Sequence, residues 1–257
     1  MRQTIPRMAA FKAMLLLTAS ASLAAQDQDY YAQINVQRGD NSNVIKIWLG
    51  DGWLRMDADA QSGTSIIWHG GEAPKFLLLQ HSEKRYMEWG KEQIDMLSQM
   101  MARMPQGLVK QTQEAKEDFD PASIIFIETG NHETIGNWDA FEVRVQGDVF
   151  QDAMLWLTRE TKVGIVEIFG RMAEPLSSFT SLPMMRANAG PQADMHRMQT
   201  LAKADGMPKG ATIRVVHVAD GQTSILTLEE VKIGPFDPSL REAPKGYKKM
   251  QMPMMRR

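Results

Sequence analysis

Between Asn43 and Trp89 the chain changes direction so often that only a sheet can accommodate it. Five short runs succeed one another: Val44 to Leu49, Trp53 to Asp57, Ser65 to Trp68, Phe76 to Leu79 and Arg85 to Trp89. Each is rich in β-branched or aromatic residues, and Gly, Asp, Asn or Pro separates it from the next. The pattern predicts an antiparallel meander around which the rest of the chain is organised.

Asp29 to Gln37 supplies a strand ahead of it. Tyr30, Ala32, Ile34 and Val36 alternate with Tyr31, Gln33, Asn35 and Gln37, so one side is apolar and the other polar. Arg38 to Asn43 is a polar turn, and Gly50-Asp51-Gly52 is a hairpin signal that fixes the register of the strand after it. In the intervening strand the alternation sets Ile45, Ile47 and Leu49 on one face and Val44, Lys46 and Trp48 on the other. Arg55, between Leu54 and Met56, has two readings: a solvated strand residue, or a cation at a cavity rim that meets a polar head group.

From Gly90 to Met104 the apolar period lengthens. Ile94, Leu97, Met101 and Met104 recur at three- and four-residue steps before Pro105 and Gly107, which describes an amphipathic helix. Leu108 to Asp120 reads as a loop or a weak solvated helix. Strands resume at Ser123 to Ile127, Glu133 to Asn137, Trp138 to Val145 and Ala153 to Leu157. Phe169, Met172, Leu176 and Phe179 then form a helical stripe that Pro175 kinks or delays, and Met195, Met198 and Leu201 form a second, opened by Gly190-Pro191. The last strands are Thr212 to Val218 and Thr223 to Val231, joined at Asp220-Gly221. Two amphipathic elements after a run of strands fit a lid over a concave sheet.

Residues 1–24 are set apart. Arg2, Arg7 and Lys12 precede the apolar run Ala13 to Leu17 and then small residues through Ala25, the pattern of a secretory signal peptide with cleavage expected after Ala24, or alternatively after Ala25. The apolar run is far short of the ~20 residues that cross a bilayer, and no second hydrophobic span occurs, so no membrane span is expected in the mature chain. The expected location is the periplasm. Taking those three cations from the 29 Lys and Arg leaves 26 against 31 Asp and Glu, a mature net charge of about −5 that disfavours nucleic acid as a partner. The remainder divides into a single domain, 25–249, and a Met-rich tail, 250–257.

Catalytic signatures are missing from the sequence. His69, His81, His132, His196 and His217 show no metal-ligand spacing, no nucleophile elbow, P-loop, H-E-x-x-H or dinucleotide glycine pattern occurs, and no Ser has a neighbouring partner that would activate it. No enzyme activity and no cofactor are expected. The anomaly is 20 Met with no Cys. Thioethers are soft enough for Cu(I), and Met250, Met252, Met254 and Met255 lie close together, but flexible, polarizable Met equally suits a pocket for apolar chains of variable shape.

Several stretches carry a family resemblance: Lys46 to Asp57, Lys84 to Glu88, Thr129 to Phe141 and Ala243 to Met250. In these the chain resembles an uncharacterised family of secreted bacterial proteins whose fold is related to the lipoprotein carriers LolA and LolB. The resemblance implies an α+β fold, a curved antiparallel half-barrel with amphipathic helices covering its concave face and an apolar cavity between. On that basis the expected function is to hold a lipid, acyl chain or other apolar ligand without catalysis. Arg55, Trp48, Met56, Leu78, Tyr86, Leu97, Met101, Met172 and Phe179 are the expected lining. The alternatives are an envelope interaction or stress-related module with a filled core and a protein partner, and a Met-rich copper-binding protein.

Overall fold

Residue alternation along the first strands decides which side chains share a face. The computed structural model describes residues 28–58, 63–93, 95–96, 120–147, 153–172, 197–219 and 221–250. The meander forms as β1 (Tyr30–Arg38), β2 (Asn41–Gly50), β3 (Trp53–Asp57), β4 (Thr64–His69), β5 (Lys75–Gln80) and β6 (Arg85–Gly90). After it come β7 (Ile125–Ile135), β8 (Trp138–Gln146), β9 (Ala153–Thr158), β10 (Ala211–Ala219), β11 (Gln222–Ile233) and the two-residue β12 (Lys248–Lys249). They make one sheet of 12 strands in the order β12-β6-β5-β4-β3-β2-β1-β11-β10-β9-β8-β7. Pairing is antiparallel except where β12 joins β6. The two ends of the order do not meet, so the sheet is open.

One face carries the main core. Across it run the rows Tyr30, Leu49, Leu54, Trp68, Phe76, Trp89 and Ala32, Ile47, Met56, Ile66, Leu78, Met87, each residue opposite the next on the neighbouring strand. The same apolar face continues through Leu226, Val215, Leu155 and Val143 on β11 to β8. Strand residues projecting the same way from every second position make such a face continuous once register is set.

The expected α+β half-barrel roofed by amphipathic helices is corrected by this architecture. Sheet dominates, and the helix whose limits are defined, α1 (Ile165–Arg171), has only 7 residues and packs on β10 and β11, away from β3 to β6. Helical residues 197–201 lie beside it, and Gly170 permits the approach, since a Cβ there would stand 2.9 Å from Ala202 Cβ. The physical reason is that consecutive hairpins satisfy one another's backbone groups and extend the sheet sideways, while the meander's second face is covered by extended chain. Ile94, Leu97, Met101, Met104, Leu176, Phe179 and Met195 lie outside the described residues.

Two expected strands, Ser123 to Ile127 and Glu133 to Asn137, prove to be parts of one. Gly130, at φ 83°, sits inside an irregularity between Glu128 and His132, and β7 keeps its pairing with β8 on both sides of it. Asp120 starts the 3-10 turn ahead of β7 by accepting from the Ala122 amide at 2.9 Å. Among the described residues no helix is long and apolar enough to cross a membrane.

Candidate functional site

The meander has a second face, and the chain's own C-terminal segment lies across it as a strap. Its rows are Tyr31, Trp48, Arg55, Ile67, Leu77, Glu88 and Gln33, Lys46, Asp57, Ser65, Leu79, Tyr86. Residues 236–250, containing the 3-10 turn Pro238–Arg241, pack against it. Ile67, Leu77 and Leu79 are at most 2% exposed and form a small core with Tyr86, Ala243 and Tyr247.

Polar contacts tie the strap down. Arg55 is 8% exposed. Its Nε and Nη2 donate to the two Asp57 carboxylate oxygens at 2.8 and 3.1 Å, its Nη1 donates to the Leu240 carbonyl at 3.4 Å, and its guanidinium stands 5.7 Å from the Trp48 ring. The bidentate geometry suits a planar guanidinium, and the Asp57 charge is thereby compensated. Arg55 is thus not a solvated strand residue. Arg241 reaches Asp29 at 3.3 Å and stacks over Trp53 at 4.6 Å, while His69 Nε2 donates to the Arg241 carbonyl at 2.7 Å. Burial holds the His69 pKa below its ordinary 6.5, against the opposing effect of that hydrogen bond.

His81 joins sheet and strap. Its Nε2 lies 2.5 Å from Ser65 Oγ and its Nδ1 2.6 Å from the Tyr247 hydroxyl. Ser65 thus has a partner from 16 residues away, one that no neighbouring residue in the sequence supplies. The β4–β5 register, with Thr64 opposite Gln80, brings the turn residue His81 beside Gly63 and so against Ser65. That hairpin arithmetic was the available signal. The contact is a clasp rather than an activated nucleophile. Ser65 is 1% exposed, and Nδ1 meets a phenol instead of the carboxylate that stabilises an imidazolium in serine hydrolases. Beside it a recess of about 520 Å³ is lined by Gln33, Val44, Lys46, Asp57, Ser65 and His81.

The core face differs in chemistry. Leu54, Phe76 and Trp89 are at most 5% exposed, but Met56, Leu78 and Met87 in the adjoining row are only partly buried, with the buried Ile66 between Met56 and Leu78. Trp68 projects into the closed row at 7% exposure, its ring lying over Gly70, where any Cβ would collide with it. Among the described residues no acceptor reaches its fully buried Nε1–H. Leaving such a donor unpaired costs on the order of 1–3 kcal/mol.

The expected lining residues are therefore divided between two faces. Met56 and Leu78 lie on the core face of the meander, and Met172, fully buried, comes directly after α1 within the same core. Trp48, Arg55 and Tyr86 lie on the strap face. Leu97, Met101 and Phe179 fall outside the described residues, as do Met252, Met254 and Met255, while the Met250 amide donates to the Tyr86 carbonyl at 2.8 Å. Among the described residues no cluster of three His, Asp or Glu could hold a metal ion. Trp68, His81 and Tyr247 were not singled out from sequence, because their roles depend on partners across strands.

At α1, Glu167 accepts from the Gly164 amide at 3.0 Å, and burial raises its pKa. It shapes a smaller recess of about 380 Å³ with Gly170, Arg171, Gln199 and Lys203.

No family model matches the chain, and no curated protein matches it. Among solved structures, the chain is similar to an uncharacterized conserved protein from Thermus thermophilus at TM-score 0.42 and 7% identity, covering 93% of this chain and 98% of that one. It is similar to a chain of the Pseudomonas aeruginosa MucA/MucB complex at TM-score 0.40 and 11% identity, covering 90% of this chain and 61% of that one. A DUF1329 family protein from Desulfovibrio piger gives TM-score 0.30 and 8% identity, with 91% and 98% covered. At these scores the likenesses assign the chain neither a family nor an activity.

Proposed function

We propose that the protein is a non-enzymatic binding protein of the periplasm that holds a lipid, acyl chain or similar apolar ligand against the core face of the meander. The observation that carries this reading is the contrast between adjoining rows. Leu54, Phe76 and Trp89 are closed off, whereas in the adjoining row Met56, Leu78 and Met87 remain partly exposed around the buried Ile66. A chain laid along that strip would gain roughly 25 cal/mol for each Å² of apolar surface removed from water. Unbranched Met side chains adapt to it with little loss of packing. The export pattern in residues 1–24 supports the location.

Native mass spectrometry of the gently purified protein, with uptake of a fluorescent acyl probe, tests the reading. Co-purifying lipid or saturable uptake is the expected result. A clean apo mass with no uptake would sink it.

A second reading has its own observation. β7 ends the sheet, and Ile125 and Ile127 are 58% and 41% exposed on it. An open strand edge bearing apolar side chains can add a strand from a protein partner, which makes an envelope interaction module the alternative. Replacing Ile125 by Lys would weaken such an association and leave acyl uptake as it was.

A further inference from the structure

The buried indole N–H of Trp68 bears on what kind of apolar ligand the core face takes. It is a donor with no lone pair to offer, so only an acceptor satisfies it. Its described neighbours on the face are hydrocarbon: Leu54 and Phe76 flank it on the neighbouring strands, Trp89 stands beyond Phe76, and the Met56, Ile66, Leu78, Met87 row runs alongside. Among the described residues, Arg85 and Arg171 border that face at a distance. Arg85 lies four residues along β6 from Trp89, roughly 13 Å away at the rise of a strand. It is exposed and faces Glu83 at 3.1 Å. Arg171 stacks over Tyr30 at 4.5 Å, three strands across the row from Trp68, roughly 14 Å at ordinary strand spacing. An ionised carboxylate brought to Trp68 would therefore lose its water with no positive charge among the described residues beside it to compensate, whereas a neutral carbonyl would meet a donor already in place.

We propose that the ligand of the core face is a neutral acyl ester, its carbonyl oxygen accepting from Trp68 Nε1–H and its hydrocarbon chain lying along Met56, Leu78 and Met87. This rests on the apolar-ligand reading and adds a chemical class to it. Trp68 acts as a specificity residue: the strip supplies affinity for any chain, and the indole selects the chain that carries a carbonyl.

The test is displacement of a polarity-sensitive dye from the full chain by methyl palmitate, palmitate at pH 8 and hexadecane. The expected order places methyl palmitate about three- to tenfold ahead of hexadecane, the advantage of one buried hydrogen bond, with palmitate behind the ester. In Trp68→Phe, which keeps an aromatic ring and removes the donor, the ester's advantage over the alkane falls to parity. Independently of any variant, the Trp68 indole proton moves downfield in an NMR titration with methyl palmitate and does not do so with hexadecane. Equal displacement by ester and alkane in the unsubstituted protein, an unchanged ester advantage in Trp68→Phe, or palmitate as the strongest ligand overturns the ester proposal while leaving apolar binding intact. Failure of all three ligands and the dye removes the apolar-ligand reading itself.

Discussion

Leu54 and Arg55 are neighbours in sequence and belong to different structures. Leu54 is fully buried in the core face, where its partners are side chains of adjoining strands and its contribution is removal of hydrocarbon from water. Arg55 is nearly as buried on the opposite face, yet its partners are a carboxylate and an indole of the sheet and a carbonyl belonging to the C-terminal strap. The core face is non-directional and tolerates a change of shape. The strap face is directional, and each of its contacts fails separately. The difference shows why the same sheet can offer an adaptable apolar strip on one side and a fixed polar clasp on the other.

The contrast is sharpest in truncation. Arg55→Ala leaves Asp57 without its counter-charge and the strap without a tie, and should cost about 3–4 kcal/mol in urea unfolding. Limited proteolysis should then cut first within residues 236–250. Leu54→Ala should cost a comparable ~3 kcal/mol by opening a cavity, but with cooperative loss of the whole sheet and no early cut in the strap. If both variants are cut at the same places, the two faces do not fail independently and the comparison breaks.

A smaller effect is expected from Tyr247→Phe, which removes the hydroxyl opposite His81 Nδ1. The loss should be about 1 kcal/mol, with amide exchange quickening in β12 before it does in β4.

The smallest effect is a slope with pH. Because His69 has a folded pKa below 6.5, the folded state prefers the neutral ring. Its contribution to stability is complete above 6.5 and declines as pH falls from there toward the lowered folded value. Thermal melts between pH 7.5 and 5 should show that decline, and His69→Gln, which can still donate to the Arg241 carbonyl, should flatten it. Glu167 has the opposite sign. With its folded pKa raised above the ordinary 4.5, it favours the fold below 4.5 and ceases to do so as pH rises through the folded value.

Much of the meander was legible in the residues. The period-2 alternation of Tyr30 to Val36 and of Ile45, Ile47 and Leu49 identified the core side, and Gly52, at φ 64°, stands in the expected hairpin. The merging of two short strands into β7 was less legible, because a glycine between strands reads equally as a turn or a bulge. The strap was illegible. Tyr247 meets His81 across 166 residues and Arg241 meets Asp29 across 212, and neither lies in a periodic segment. The readable trace was local: Asp237 accepting from the Ser239 amide at 2.9 Å, the sign of a short capped turn. Of the candidate site, Met56 and Leu78 could be placed on the core side by counting residues, whereas Trp68 became informative only when its neighbours proved to be hydrocarbon.

Alternation along each strand belongs to the sequence, since successive side chains must point to opposite faces whatever the strand packs against. Tertiary structure alone decided what covers each face: the strap over Arg55, Ser65 and Leu77, and a closed row around an indole that meets no acceptor among the described residues, beside partly exposed Met56, Leu78 and Met87. Those outcomes depend on contacts between residues far apart in the chain, whose free energies appear only when register, closure and burial are all in place.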